Sequence, residues 1–416
     1  MKGHSMIDRF FTDSTCLQRL RCGPLGPHLD GYAQILWQQG YARASGAERV
    51  RTIAQLSRWL GQKKLPVNNL NEERIAEFVQ SKPKRRWRRG NKATLEKFLQ
   101  YLRQGGIIAR PVVCAKASPL DCIERDYGQF LIQERGLTQA TLDNYLPVAR
   151  RFLSGQFGTG KVCLDKLETQ DVTGFILGET ASRAPSGAQL TTKALRSFFG
   201  FLYRRGELAT NLAAAVPTVA GWRLAGLPEF LEPAQVQKLL RTCHRNSPVG
   251  RRDYAVLLLM ARLGLRAGEV VHLNLENINW EAGEVLIHGK SSREDRLPLL
   301  PDVGQALVQY LQKDRPCCAC RRVFLRMKAP RQGFSGSSAI CDIFRRALVR
   351  AQLHPQHQGA HLLRRSLATQ MLGRGASLTQ IGQVLRHQRT QTTEIYAKVD
   401  LAALRALAQP WPGGVP

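Results

Sequence analysis

The chain has 416 residues, 43% of them hydrophobic, which is the composition of a folded globular protein and not of a disordered one. Its 61 Lys and Arg residues outnumber 32 Asp and Glu residues and give a formal net charge of +29, a field that attracts DNA or RNA and argues against an ordinary metabolic enzyme. No run of 18 apolar residues could cross a membrane and no apolar stretch near the N-terminus predicts export, so we expect a cytoplasmic protein.

Positive charge is dense in residues 1–110, which contain 21 Lys and Arg residues against 8 Asp and Glu residues. Six of the cations surround Trp87 in one segment, at Lys82, Lys84, Arg85, Arg86, Arg88 and Arg89. Pro83 and the charge density argue against a helix there. We predict a DNA-binding loop in which the cations clamp phosphates and Trp87 stacks. A solvated, flexible loop is the alternative.

The hydrophobic pattern of residues 1–110 returns in residues 118–215. Tyr32 corresponds to Tyr127 at an offset of 95 residues, and Phe98 corresponds to Phe198 at an offset of 100. Loop insertions inside a duplicated helical module would produce this drift. The pattern predicts two related modules of four helices each, and two unrelated bundles of similar size are the alternative.

A third domain is predicted over residues 227–410, after a linker that ends near Gly221. Periodicity predicts helices over 234–240 and 254–265, and two short strands over 285–288 and 296–299 flank a turn. From Val303 onward we predict helix as far as the C-terminal Pro-Trp-Pro-Gly-Gly segment. The predicted fold class is therefore mainly α with a small β-hairpin in the last domain, an α+β arrangement.

The ten cysteines raise the question of a metal or disulfide framework. Only Cys317, Cys318 and Cys320 cluster, and no second pair follows at the spacing of a zinc ribbon. We therefore expect reduced thiols and no metal site.

Six polar residues of the last domain stand out together. They are two arginines, two histidines, a lysine and a tyrosine, at Arg266, Lys290, His361, Arg364, His387 and Tyr396. Each alone would more often be a surface or packing residue. As a set they could meet the doubly negative transition state of phosphodiester transfer, because guanidinium and imidazolium groups donate to phosphate oxygens. A tyrosine can be the covalent nucleophile and a lysine can protonate the leaving oxygen, so neither metal nor ATP is required.

The order and spacing of these residues resemble those of the tyrosine recombinases, the phage-integrase and Xer-like family. Arg266 lies in the run Gly264–Glu269. Lys290 follows Arg266 by 24 residues, and His387 follows Arg364 by 23. The resemblance covers roughly residues 118–410. It implies the tyrosine-recombinase catalytic fold, preceded by two helical SAM-like DNA-binding modules: an extra module over 1–110 and the core-binding domain over 118–215.

The resemblance also implies a role for each residue. The residues that would bind the scissile phosphate are Arg266, Arg364 and His387. His361 would assist proton transfer or phosphate binding, and Glu269 would support the arginines. Lys290 would be the general acid, and Tyr396 would be the nucleophile. The chain departs from the family at Arg365, where a second histidine is frequent, and at Arg386, where a glycine commonly precedes the histidine.

A family member of this kind is a site-specific recombinase or integrase, typically of a mobile element, that uses a 3′-phosphotyrosine intermediate and no cofactor. The resemblance implies that it binds double-stranded recombination sites as a tetramer, with sister recombinases as possible co-partners, on the DNA of the nucleoid. The segment Leu401–Leu407 would dock on a neighbouring subunit or form the chain's own last helix. The rival activities are DNA relaxation by a type IB topoisomerase and DNA binding without catalysis.

Overall fold

A computed structural model describes residues 6–82, 89–109, 118–158, 160–181, 183–219, 227–289, 293–399 and 404–405. Three of the predicted features lie wholly or largely outside these residues: Lys290, the basic run Lys84–Arg88, and the segment Leu401–Leu407. One compact unit of the chain comprises residues 1–110 and 226–416, and a second comprises residues 111–225.

Helices are the regular elements in the described part of the N-terminal module. Its helices are α1 (Ser14–Arg21), α2 (Leu29–Gln38), α3 (Arg43–Gln62), α4 (Glu72–Gln80) and α5 (Arg89–Gln104). Asp13 and Asn71 begin α1 and α4, because each side chain accepts a hydrogen bond from a backbone N–H of the first turn. The apolar faces of these helices enclose one core, in which Tyr32 and Phe98 meet edge to face at 5.0 Å.

The described part of the second module contains four α-helices and a short 3₁₀ helix. The α-helices are α6 (Pro119–Gln133), α7 (Gln139–Phe157), α8 (Thr169–Thr180) and α9 (Pro185–Arg204). Ser118 and Asp121 form a capping box at the start of α6. The core again contains an edge-to-face pair, Tyr127 with Phe198 at 5.1 Å.

The third domain contains the remaining helices and the sheet. The helices are α10 (Pro233–Arg241), α11 (Pro248–Leu263), α12 (Ala267–His272), α13 (Pro301–Lys313), α14 (Ser337–Ala351), α15 (His361–Leu372) and α16 (Leu378–Val384). The strands are β1 (Ile278–Asn279), β2 (Glu284–His288) and β3 (Glu294–Pro298). The buried helix α11 lies at the centre of the core and packs against α13 and α15.

The sheet is antiparallel, with the strands in the order β1-β2-β3. Val285 pairs with Leu297 and Ile287 pairs with Asp295, so the buried side chains alternate as the two-residue period of a strand requires. Asp295 consequently shares the inner face with Leu297. The α+β fold class predicted from the sequence is confirmed, and the observed hairpin matches the predicted strands to within two residues.

The prediction of continuous helix beyond Val303 is wrong for residues 314–336. This segment contains turns and two isolated bridges, Asn274 with Arg322 and Leu325 with Gly333. The side chain of Arg315 stabilises the conformation of this segment by donating to the carbonyl oxygens of Cys320 and Arg322, at 2.5 and 2.9 Å. Such contacts are irregular in sequence, so no periodic pattern announces them.

The end of this irregular segment contacts the N-terminal module. The backbone N–H of Arg331 donates to the carbonyl of Gln39 at 2.9 Å, and Ala329 packs against the module's core. The side chain of Arg331 lies over Gly40, where a Cβ would come within 2.4 Å of it. Residues 1–110 and the third domain are joined within one unit by these contacts. Among the described helices none has the length and apolar character needed to span a membrane.

Candidate active site

The turn between α11 and α12 presents Arg266. Gly264 ends α11 in the left-handed conformation, at φ +59°, and Arg266 is the residue that caps α12. Glu269, one turn into α12, accepts from the backbone N–H of Arg266 and from its Nη1, both at 2.8 Å. The Glu269 carboxylate is 7% exposed and the Arg266 side chain is 43% exposed. A buried carboxylate therefore aims a partly exposed guanidinium at solvent.

Arg364 lies in the first turn of α15 and is fully buried. Its two terminal nitrogens donate to the backbone carbonyls of Gly264 and Leu385, which follow α11 and α16. Burial, together with the charges of Arg266 and Arg386, lowers the pKa of Arg364 to about 9. Arg364 is still a cation at pH 7, and its buried Nε has no hydrogen-bond partner in the described part of the chain.

Two histidines lie beside these arginines. Desolvation lowers the pKa of His361 to about 4, with further contributions from Arg364, Arg365 and Arg266. The His361 residue is exposed to solvent. Its pKa is lowered all the same, because three guanidinium groups disfavour a fourth positive charge.

His387 follows α16 and is half-buried. Burial and then the charges of Arg364 and Arg266 lower the pKa of His387 to about 4. Its Nδ1 lies 2.8 Å from the hydroxyl of Thr393, which leaves Nε2 as the nitrogen free to face a ligand. Both histidines are therefore neutral at pH 7 in this structure.

Tyr396 lies in a 3₁₀ helix over Glu394–Val399 and is 3% exposed. It packs in a small apolar cluster with Ala368, Ile381 and Leu385. Burial raises the pKa of Tyr396, while Arg364 and Arg365 act in the opposite direction. The phenol is thus protonated at neutral pH and lies close enough to Arg364 for their charges to interact.

Arg386 is a site residue whose role the sequence did not assign. It has φ +54°, the left-handed conformation that glycine adopts readily, and its side chain is 4% exposed. Its Nη2 donates to Glu269 at 2.6 Å, and its Nε lies 3.9 Å from Asp295 on β3. Asp295 and Thr393 were also missed, because an isolated Asp on a strand or Thr in a turn carries no signal of its own.

Five of the six predicted catalytic residues are thus brought together from α12, α15, the α16 turn and the last 3₁₀ helix. Lys290, which the sequence places between β2 and β3, lies outside the described residues. The arginines around this site outnumber its two carboxylates, because Arg266, Arg364 and Arg386 lie near Glu269 and Asp295, and Arg293 pairs with Asp295 as well. A phosphodiester is an anion, so this positive surplus is suited to binding one near Arg364 and Tyr396.

The predicted DNA-binding loop is described only at its ends. The Nζ of Lys82 lies 4.8 Å from the centre of the Phe78 ring, at the end of α4, and Arg89 begins α5. Lys84, Arg85, Arg86, Trp87 and Arg88 lie outside the described residues.

Known proteins resemble this chain in sequence over most of its length. A family model described as the phage integrase family matches residues 229–402. A Sinorhizobium fredii protein named as an integrase/recombinase is 41% identical over 405 residues, which is 97% of this chain and 98% of that protein. The tyrosine recombinase XerC of Lactobacillus delbrueckii subsp. bulgaricus is 30% identical, over 68% of this chain and 96% of that protein.

A solved structure shares the fold. The XerH site-specific recombinase bound to a palindromic difH substrate aligns with a TM-score of 0.54 and 17% identity, covering 75% of this chain and 93% of that one. At this level of identity the likeness concerns the fold alone.

Proposed function

Since the chain belongs to the phage integrase family of tyrosine recombinases, we propose that it breaks and rejoins DNA with Tyr396 as the nucleophile. The protein is a tyrosine-type site-specific DNA recombinase. The observation that supports the assignment of its site is the convergence of Arg266, His361 and His387 on Arg364, which itself interacts with the buried Tyr396.

Cleavage would begin when the Tyr396 oxygen attacks the scissile phosphorus. A tyrosine–phosphorus bond forms to the 3′ side of the strand while the bond from phosphorus to the 5′ oxygen breaks. Neutral His361 can accept the phenol proton, and Lys290 would give a proton to the departing 5′ oxygen. Arg266, Arg364 and His387 would hold the non-bridging oxygens, whose charge grows in the transition state.

Rejoining would reverse these steps with a different strand. A free 5′ hydroxyl attacks the phosphotyrosine, Lys290 takes its proton, and Tyr396 leaves as the phenol with the proton returned by His361. Because one phosphodiester is exchanged for another through a covalent ester, the bond energy is conserved and no ATP, metal or other cofactor enters the scheme.

The partner of the protein would be double-stranded DNA at paired recombination sites, held by four subunits. Residues 118–215 would be the core-binding domain, and residues 1–110 a second DNA-binding module of related origin. Subunits from sister recombinases of the same mobile element are the alternative to four identical chains. These steps would take place in the cytoplasm, on nucleoid DNA.

A nicked suicide substrate tests the nucleophile. Cleavage beside the nick releases a short oligonucleotide, so the covalent protein–DNA adduct accumulates and is counted on a denaturing gel. We expect an adduct with the wild-type protein and a loss of at least about 1,000-fold with Tyr396→Phe, since no other group supplies the attacking oxygen. Site affinity should remain near wild type because the phenol displaces no counterions.

Tyr254→Phe is the matched control, because it removes a tyrosine hydroxyl from α11 of the same domain. It should retain adduct formation. An adduct with Tyr396→Phe would refute the assignment of the nucleophile. Relaxation of a supercoiled plasmid without joining of two sites would instead favour the topoisomerase activity, and an absence of both activities would favour a non-catalytic DNA-binding protein.

A further inference from the structure

The residue just before His387 has a left-handed backbone conformation, which is strained for residues other than glycine. The N–H of Arg386 donates to the carbonyl of Gln383, and that of His387 donates to the carbonyl of Gly382, both at 2.9 Å. These bonds close the end of α16 only if residue 386 is left-handed. Arg386 meets the requirement at φ +54°, where its Cβ is crowded and a glycine would not be.

The side chain of Arg386 makes contacts that a glycine could not make. It is buried, and it points between two carboxylates that belong to different elements. Its Nη2 donates to Oε2 of Glu269 on α12 at 2.6 Å. Its Nε lies 3.9 Å from Oδ2 of Asp295 on β3, an ionic contact without a hydrogen bond, and Oδ1 of Asp295 accepts from Arg293 at 3.1 Å.

Glu269 is the shared member of this arrangement. Its Oε1 accepts from Nη1 of Arg266, and its Oε2 accepts from both the backbone N–H of Arg266 and Nη2 of Arg386. Without Arg386, the buried carboxylate would lose one of its two guanidinium partners, and the orientation that it imposes on Arg266 would be less well defined.

We propose that Arg386 is a positioning residue of the recombinase: through Glu269 it fixes the guanidinium of Arg266 at the scissile phosphate, and through Asp295 it ties that arrangement to the β2–β3 hairpin. The inference rests on the proposed function, because it needs Arg266 to bind the phosphate. Lys290 precedes Asp295 by five residues in the sequence of the same hairpin.

The variant Arg386→Gly separates the two properties of this residue. Glycine relieves the backbone strain but removes a partner of the buried Glu269 carboxylate, so cleavage is measured under conditions in which urea titration shows the variant to be fully folded. On substrate bound at saturation, single-turnover cleavage should nevertheless fall roughly 10- to 100-fold, which is the effect of a slightly misplaced catalytic group. Arg386→Lys should recover part of the rate, because an ammonium keeps the charge but not the two-pronged geometry of the guanidinium.

Gln352→Gly is the matched control for the backbone. Gln352 also follows a helix, α14, with a positive φ of +52°. It is exposed and is not one of the site residues. The same relief of strain should leave its cleavage rate at the wild-type value.

The route through Glu269 is tested by combining substitutions. If Arg386 acts on Arg266 through Glu269, the double variant Glu269→Gln with Arg386→Gly should cleave no more slowly than Glu269→Gln alone. A rate equal to the product of the two single effects would overturn the proposal, because it would mean that Arg386 acts independently of Glu269. Wild-type cleavage by Arg386→Gly would overturn it as well. Failure of the wild-type protein to form an adduct would refute the proposed function instead.

Discussion

Desolvation, followed by the charges of nearby arginines, weakens proton binding by His361 and His387. The pKa of each is about 4 in the folded protein, whereas an unfolded histidine titrates near 6.5. As the pH falls from 6.5 towards 4, the unfolded chain therefore takes up protons that the folded chain does not. Folding stability contributed by this difference is complete above about pH 6.5 and is lost progressively as the pH approaches 4.

We predict that His387→Gln makes the stability of the protein less sensitive to acid. Between pH 6.5 and 5, the free energy of unfolding from urea titrations should fall less steeply for the variant than for the wild type. The difference is at most about 1.4 kcal/mol per pH unit, the limit for one proton. Exposed His354→Gln is the control and should keep the wild-type slope. Equal slopes for His387→Gln and the wild type would contradict the lowered pKa.

Lys290 is assigned as the general acid by resemblance alone, so its role needs a chemical test. We predict that Lys290→Ala slows cleavage by about 100-fold or more, and that a substrate with sulfur in place of the bridging 5′ oxygen restores most of the rate. A thiolate leaves without protonation, so only the loss of an acid is repaired in this way. Single-turnover cleavage of both substrates gives the answer. An equally slow reaction with the sulfur substrate would make Lys290 a phosphate contact.

The turn between α11 and α12 depends on Gly264, whose carbonyl accepts a hydrogen bond from Arg364. A Cβ at this position would lie 2.7 Å from a methyl carbon of Leu385 and 3.2 Å from one of Leu367. The left-handed conformation alone costs an alanine about 1–2 kcal/mol. Gly264→Ala should therefore destabilise the protein by more than that amount, and it should also slow cleavage because Arg364 loses its position.

Gly283→Ala provides the comparison in urea unfolding and cleavage assays. Gly283 has nearly the same conformation, φ +62°, and nothing lies within 4 Å of the position of its Cβ. It should lose only the conformational part of the stability and cleave normally. If both alanine variants unfold at the same urea concentration and cleave alike, the packing around Gly264 does not control the site.

From α2 to α5, the N-terminal module has the same order of elements as the second module has from α6 to α9. In each, a 3₁₀ turn separates the second and third helices of the matching set, at Val67–Asn69 and at Leu164–Lys166. The hydroxyl of Tyr32 lies 3.5 Å from the carbonyl of Thr94, and that of Tyr127 lies 3.4 Å from the carbonyl of Ala194. These contacts agree with a duplication, which stays a prediction because similar bundles could arise independently.

For the whole molecule, the net charge of +29 predicts binding that depends strongly on salt. If the basic segment around Trp87 grips phosphates, replacing Arg85 and Arg86 by Gln should flatten the slope of log K against log salt by about 0.9 for each lost contact. Cleavage of pre-bound substrate should survive, because the proposed active-site residues all lie beyond residue 260. Filter binding across a series of salt concentrations measures the slope.

Lys63 and Lys64, which are exposed at the end of α3, are the matched pair for this test. Replacing them by Gln removes the same charge from the same module and should change the slope much less. Equal changes of the salt slope in the two double variants would mean that the total positive charge of the module attracts DNA. The segment around Trp87 would then make no specific phosphate contact.

The sequence by itself determined the family, the fold class and the identity of the six catalytic candidates, because these depend on residue types at fixed spacings and on periodic hydrophobicity. The hairpin and helices α10 and α11 were predictable for the same reason. The irregular residues 314–336 were not, because they are shaped by one arginine that reaches several carbonyls.

Only the tertiary structure decided how the candidates are held. Arg364 is buried by carbonyls that lie 100 and 21 residues away in the chain, and Arg386 meets carboxylates from α12 and β3. The sequence marks Arg386 as a departure from glycine but cannot show what its side chain contacts. These contacts join segments that are far apart in the chain and depend on how the helices and the sheet pack. Local hydrophobic periodicity and residue spacing do not specify them.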